Sequence, residues 1–261
     1  MQLLYAVILG LTQGLTEFIP VSSSGHLILV GHFLGFTHSG LAFDTALDIG
    51  TLAALYLFFA RDFIEMAHDL VKGGPKRKLA WYLIASTIPA VIAGVLIQHT
   101  AETIFRSSQL VAINLIWVGI VMYFVDRLCR SDKIMADITL PKALTVGFVQ
   151  CLALVPGVSR SGATITAGRA LGFDRVTATR FSFLLSAPII TGATLKVLMK
   201  PANLHDFATA PSLYIAGILT AFITGYFAIK FLLQYLSRHG LGVFAIYRIA
   251  VGILIIAIGL K

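Results

Sequence analysis

The chain has 261 residues, 57% of them hydrophobic and only 12% charged, with a mean hydropathy of +0.89. Soluble domains carry about 25% charged residues, so these values exclude a soluble globular domain and indicate an integral membrane protein. The net charge of +8 is no nucleic-acid footprint here, because basic residues of membrane proteins collect in cytoplasmic loops and near anionic headgroups. Membrane lipid is the expected partner, and no nucleic acid.

The opening segment MQLLYAVILGLTQGLTEF has neither a basic n-region nor a small-residue cleavage site, so it is expected to be retained. It begins an apolar stretch, residues 3–36, that Pro, Ser and Gly interrupt near the middle. Each half is shorter than the roughly 20 residues a crossing helix needs, which predicts a re-entrant helix–loop–helix hairpin. Spans are predicted at 43–60, 80–98 and 109–126. A second interrupted stretch follows at 143–173, again predicting a hairpin, and then spans at 181–199, 212–235 and 243–260. The expected fold is all-α and polytopic, with six transmembrane helices plus two re-entrant hairpins. Such broken backbone is tolerated in a membrane only where protein or water surrounds it.

Loop charge predicts the orientation. The 61–78 loop holds Arg61, Lys72, Lys76, Arg77 and Lys78, and the 127–142 loop holds Arg127, Arg130, Lys133 and Lys142. Between them, the 99–108 loop has only Arg106. The two basic loops are expected on the cytoplasmic side. Both termini then lie outside, with the first hairpin dipping in from the outer face and the second from the cytoplasmic face.

Sliding the chain by 137 positions aligns the two hairpins without a gap. Over residues 6–36 the identities are Ala6/Ala143, Gly10/Gly147, Gln13/Gln150, Leu15/Leu152, Val21/Val158, Ser22/Ser159, Ser24/Ser161, Gly25/Gly162, Ile28/Ile165, Gly31/Gly168, Leu34/Leu171, Gly35/Gly172 and Phe36/Phe173. Shared apolar composition would give only a few such matches. Three spans follow each hairpin, so the expected organisation is one membrane domain of two inverted repeats, about 1–127 and 142–261. Broken helices of inverted repeats meet near the bilayer midplane, where sites form. The identities describe scaffold: Ser22 or Ser24, like Ser159 or Ser161, suits an N-cap, and Gly35 and Gly172 suit C′ positions. Gly31 and Gly168 permit close helix contact.

The differences carry the chemistry. Under the same shift Glu17 becomes Leu154, Ser23 becomes Arg160 and His26 becomes Ala163. Two half-helices starting at Gly25 and Gly162 would aim free N–H groups at one point, an anion site suited to phosphate. Arg160 adds a bidentate donor for phosphate oxygens. Ser22, Ser24, Gly25, Ser159, Ser161, Gly162 and Thr164 are the candidate phosphate-binding residues. Glu17 lies four residues after Gln13, on the same helical face, and the pair is the candidate metal site, for a divalent cation bridging phosphate oxygens. His26 is a candidate general acid or base, and Ser23 a candidate nucleophile activated by His26. A metal-activated water is the other candidate nucleophile.

The segments QGLTEFIPVSSSGH and PGVSRSGAT closely resemble the two signatures of the bacterial undecaprenyl-diphosphate phosphatase family, also called the bacitracin-resistance proteins. The resemblance extends to FSFLLSAP from Phe181 and AIYR from Ala245. It implies a multi-pass enzyme of the bacterial inner membrane that removes the terminal phosphate of undecaprenyl diphosphate, a polyisoprenyl diphosphate lipid, and so recycles the cell-wall lipid carrier. It further implies Glu17, Ser23, His26 and Arg160 as catalytic residues and Mg2+ or Ca2+ as cofactor. The active site is expected to open to the outer face, and a homodimer is one expected assembly. Where the family's first signature has Glu or Gln four residues before the glutamate, this chain has Gln13. Where some relatives carry an acid before FSF, it has Arg180, and no role is carried onto that residue.

Other polar residues have plainer readings. Cys129 and Cys151 lack metal-ligand spacing and are expected to pack. His32, His38, His68, His99, His205 and His239 are expected at interfaces or in loops. Asp44 and Asp48 share one side of the first span, so at least one is a candidate for the polar cavity. The rival functional reading is a transporter or flippase of polyisoprenyl phosphate lipids, because inverted repeats with broken helices are common among transporters.

Overall fold

The computed structural model describes residues 1–35, 41–96, 107–129 and 132–259. Phe36, His38, Gln98, His99, Arg106, Arg130 and Leu260, which figure in the expectations above, lie outside the described residues.

Helix α1 (Gln2–Phe18) ends because Pro20 forces the preceding Ile19 into extended backbone, φ −65 and ψ 135. After a short break, α2 (Ser23–Leu34) runs to Gly35, whose left-handed φ of 58 lets its N–H close onto Gly31 and His32 carbonyls. α3 (Leu41–Phe58) turns by 71° at Phe59 into α4 (Ala60–Lys72). α5 (Arg77–Leu96) and α6 (Ser108–Leu128) follow. α7 (Leu140–Gln150) gives way to a 3-10 turn, Cys151–Leu154, and again the residue before a proline, Val155, is extended. Then come α8 (Arg160–Ala170), α9 (Arg175–Leu198), α10 (Pro201–Thr209), α11 (Pro211–Leu236) and α12 (Gly242–Ala257). The fold is helical, and its several long apolar helices make it a multi-pass membrane protein.

Among the described residues four helices, α5, α6, α9 and α11, are long and apolar enough to cross a membrane, and the bent α3/α4 pair makes a fifth if read as one span. α12, expected as a sixth, is an apolar helix of 16 residues over its described length. Residues 61–78, expected as a loop, are largely helical: α4 is amphipathic and packs Phe63, Met66 and Leu70 against the main core. The expected loop before Ser212 likewise holds α10.

Small residues bring the helices together. Gly10 and Gly14 of α1 form a G-x-x-x-G ridge that faces Gly217, Ala221 and Gly225 of α11. A β-carbon on Gly14 would lie 2.7 Å from the Ala221 carbonyl oxygen and 2.8 Å from the Gly225 nitrogen. That is backbone-to-backbone contact, the usual device where lipid provides no hydrophobic drive for helix association. Gly119 and Gly252 do the same between α6 and α12. At the centre, Phe18 meets Phe183 edge-on at 5.3 Å and Phe59 meets Phe183 at 6.3 Å, locking the end of α1 against α9. Outward faces are apolar: Ile88, Val91 and Ile92 of α5 are about half exposed, as lipid contact requires.

Two breaks share a backbone feature. Ser22, φ 76, and Ser159, φ 71, are the non-glycine residues with positive φ among the described residues. They stand 137 positions apart.

Candidate active site

Glu17 is the hub. It sits in the last turn of α1, one turn after Gln13, whose Nε2 donates to Glu17 Oε2 at 3.1 Å. The same Nε2 donates to Asp48 Oδ1 of α3 at 2.7 Å. Ser23, the first residue of α2, donates its hydroxyl to Glu17 Oε2 at 2.6 Å. Arg160, the first residue of α8, pairs its Nη2 with Glu17 Oε1 and turns its Nη1 toward the Ser186 carbonyl of α9 at 3.5 Å. One carboxylate thus joins the starts of both inner half-helices. Glu17 and Arg160 are mostly enclosed, with side chains 10% and 16% exposed.

His26 lies one turn into α2 and is buried. Its Nδ1 is 2.8 Å from the Ser22 carbonyl and its Nε2 is 2.7 Å from the Tyr247 hydroxyl of α12. A carbonyl only accepts, so the neutral ring carries its proton on Nδ1 and accepts the tyrosine hydroxyl at Nε2. Sequence reasoning paired Ser23 with His26. The Ser23 hydroxyl bonds instead to Glu17, because the helical start turns it toward the end of α1.

The candidate phosphate-binding residues divide into two groups. Ser159 is a working N-cap, accepting from Gly162 N at 3.1 Å, whereas Ser22 occupies the N-cap position with no side-chain cap bond. The half-helices therefore start at Ser23 and Arg160, two residues before Gly25 and Gly162. Ser22 and Ser24 hydroxyls are 3.3 Å apart, and those of Ser159 and Ser161 are 3.2 Å apart. Ser161 also reaches the Glu17 and Ile19 carbonyls at 3.4 Å, fastening α8 to the end of α1. Thr164 donates to the Arg160 carbonyl at 2.7 Å and meets Ser182 at 2.6 Å, so it braces the turn that carries Arg160. Ser24 is exposed while its counterpart Ser161 is buried, so the start of α2 is the more open of the two. Gly25 and Gly162 are buried.

A divalent cation can be tested against these donors. Gln13 Oε1 is buried and has no hydrogen-bond partner among the described residues. It belongs to the amide that joins the Glu17 and Asp48 carboxylates. Two carboxylates and an amide oxygen are hard donors, suited to a cation that keeps waters and takes phosphate oxygens. Among the described residues no three His, Cys, Asp or Glu side chains gather into a metal cluster, so substrate oxygens would have to complete the shell. Asp48 was only half signalled by sequence, through its placement on one side of its span. Tyr247 and Ser186 lie within the quoted AIYR and FSFLLSAP segments but received no role: a tyrosine in an apolar helix reads as packing, and a backbone carbonyl has no sequence mark. Of the other described histidines, His32 lies against Phe33, His68 is bonded to Asp69 and His239 stacks on Tyr235.

The chain was compared with known proteins. The family described as Bacitracin resistance protein BacA matches residues 6–254. A protein of Moorella thermoacetica named undecaprenyl-diphosphatase is 47% identical over 261 residues, covering 99% of this chain and 98% of that protein. Proteins of the same name from Gemmatimonas aurantiaca and Pelotomaculum thermopropionicum are 46% and 42% identical. They cover 97% and 99% of this chain and 96% and 97% of their own lengths. With a match over nearly its whole length and relatives of this identity, the chain belongs to the bacitracin-resistance (BacA) family.

Proposed function

We propose that this protein is an undecaprenyl-diphosphate phosphatase, cleaving the terminal phosphate from undecaprenyl diphosphate to give undecaprenyl phosphate and inorganic phosphate. It thereby returns the cell-wall lipid carrier to use. The observation that carries the reading is the meeting of Ser23, Glu17 and Arg160 at one carboxylate, between two helix N-termini. Family membership supplies the lipid.

Arg160 exchanges Glu17 for the terminal phosphate oxygens, which also face the N–H groups at the starts of α2 and α8. Glu17, released from the ion pair but still 2.6 Å from Ser23, takes the hydroxyl proton as Ser23 Oγ attacks phosphorus. The bond to the bridging oxygen breaks and undecaprenyl phosphate leaves. Water then attacks the phosphoserine and loses a proton to His26 Nε2, which gives up the Tyr247 hydroxyl it accepts at rest. The Ser23 Oγ–P bond breaks, Oγ takes back the proton held by Glu17, and inorganic phosphate leaves. Gln13, Glu17 and Asp48 would hold Mg2+ or Ca2+, which when bound neutralises charge on the phosphate oxygens.

The surrounding architecture we read as six spans and two re-entrant hairpins, in two inverted repeats of about 1–127 and 142–261. Proline breaks before α2 and α8, one position apart in the repeat register, and positive φ at Ser22 and Ser159 support that reading. The Lys/Arg-rich 61–78 and 127–142 segments support a bacterial inner-membrane orientation with the site open to the outer face. Cysteine-accessibility mapping on both faces of cells tests it. Phosphate release from undecaprenyl diphosphate by purified protein in detergent, without any gradient, tests the activity. If no phosphate appears while proteoliposomes translocate lipid phosphate, the protein is a transporter and the enzyme reading fails.

A further inference from the structure

Arg248 of α12 is wholly buried, and no carboxylate pairs with it among the described residues. Its partners are backbone carbonyls from three places. Nη1 donates to Pro20 at 3.2 Å, and Nη2 donates to Gly157 at 2.9 Å and Val158 at 2.8 Å. Nε reaches Leu115 of α6 at 3.4 Å. Pro20 and Gly157 are separated by 137 positions, the offset that aligns the two hairpins. One planar guanidinium therefore grips corresponding carbonyls of both hairpins, from behind the starts of α2 and α8.

We propose that Arg248 is a positioning residue that fixes the two hairpin breaks against each other, and so sets the span across which Ser23 and Arg160 share Glu17. Two residues after the Pro20 and Gly157 carbonyls stand the serines with positive φ, Ser22 and Ser159. Such backbone persists only where its surroundings over-determine it, and the Arg248 fork supplies a fixed point on both sides. Ser23 and Arg160 follow those serines directly. The inference rests on the phosphatase reading for its kinetic test, though not for its structural one. Lysine presents a single compact ammonium in place of a fork, so it lacks the fixed spacing between nitrogens that spans the two hairpins. Gly162 offers an independent perturbation: a β-carbon there would run into Arg248 Nη1, displacing the fork while keeping its charge.

The test uses the full-length protein in detergent. Arg248→Lys is expected to lower kcat about tenfold or more, the loss of one or two charged hydrogen bonds, with KM for the lipid unchanged. Amide exchange should accelerate together at residues 21–26 and 158–163. Arg169→Lys disturbs an equally buried arginine, bound to Asp126, and should lower stability with kcat at the wild-type value. Folded Arg248→Lys protein with wild-type kcat, or with a loss confined to KM, overturns the proposal. If that variant does not fold, Gly162→Ala decides: a kcat loss with faster exchange at both 21–26 and 158–163 supports the proposal, and wild-type kcat, or faster exchange at 158–163 alone, overturns it. Should the wild type release no phosphate, exchange still decides, because faster exchange in one hairpin alone overturns the shared grip.

Discussion

Removing Arg160 is the sharpest test of the shared carboxylate. In the resting structure its guanidinium reaches Glu17 with one nitrogen and the Ser186 carbonyl with the other. In the proposed reaction that fork turns onto the terminal phosphate. A charge-assisted hydrogen bond contributes roughly 1.5–3 kcal/mol, so losing a bidentate pair in the transition state costs about 3–6 kcal/mol. At about 1.36 kcal/mol per decade, Arg160→Ala should lower kcat/KM by roughly 10²- to 10⁴-fold. Arg160→Lys keeps the charge and one donor, and should lose about 10- to 10²-fold by the same arithmetic. In the proposed reaction Glu17 works free of the pair, as base toward Ser23, so Glu17→Gln added to Arg160→Ala should lower the rate well below that of Arg160→Ala alone. The assay is initial-rate phosphate release from a polyisoprenyl diphosphate, with folded protein confirmed by size exclusion. Arg160→Ala turnover within about fivefold of wild type, well under that range, would refute the reasoning.

Ser23→Ala should lower kcat about 10³-fold or more, and rapid quench with label in the terminal phosphate should show phosphoserine in wild type only. Labelled wild type without phosphoserine would instead point to direct attack by water. Asp48→Asn, and Gln13→Ala separately, should raise the divalent-cation concentration for half-maximal activity roughly tenfold; an unchanged cation titration would remove these residues from the metal site. Gly14→Ala should lower the melting temperature by a few degrees, because overpacking against α11 costs about 1–3 kcal/mol, and an unchanged melting curve would contradict the close seam. Lys76 and Arg61 hold the Glu65 carboxyl down at about 2, and the Lys76 backbone N–H holds Asp69 below the usual range. Depressed carboxyls stabilise the fold above their unfolded values, and that contribution is lost as pH falls through the folded ones. Proteolysis of the α4–α5 turn should therefore be slow at pH 6 and rise below about pH 4, with little effect between.

Much of the site was legible because chemistry and symmetry disagreed at a few positions. Glu17, Ser23 and Arg160 stood out as residues the other hairpin lacks, and the structure brings them into one hydrogen-bonded group. The i, i+4 spacing of Gln13 and Glu17 likewise became a direct bond. What failed had physical causes. The 61–78 segment read as a loop because its charges hid a three-residue apolar face, Phe63, Met66 and Leu70, that only packing reveals. The helix starts were displaced by two residues because the proline-ordered breaks, not the glycines, decide where N–H groups come free. Arg180 received no role, and the structure explains it as a tie to Asp62 of α4 with its guanidinium over Phe59. Arg248 was one letter of AIYR, and no sequence pattern shows that a buried arginine binds backbone alone.

The resting ion pair has a consequence for inhibition. In the proposed reaction Glu17 stands where a phosphate oxygen would stand, so the protein would carry its own competitor for Arg160. An incoming anion must outbid a carboxylate already tethered beside its target. A diphosphate with a membrane-held tail can do so; free phosphate, with neither a second phosphoryl group nor a lipid anchor, is poorly placed to stay. Closure of the pair behind the departing product would compete with it for Arg160 and so speed its release. Compounds meant to block the site should therefore present two linked anionic groups on an apolar tail, and simple phosphate mimics should remain weak.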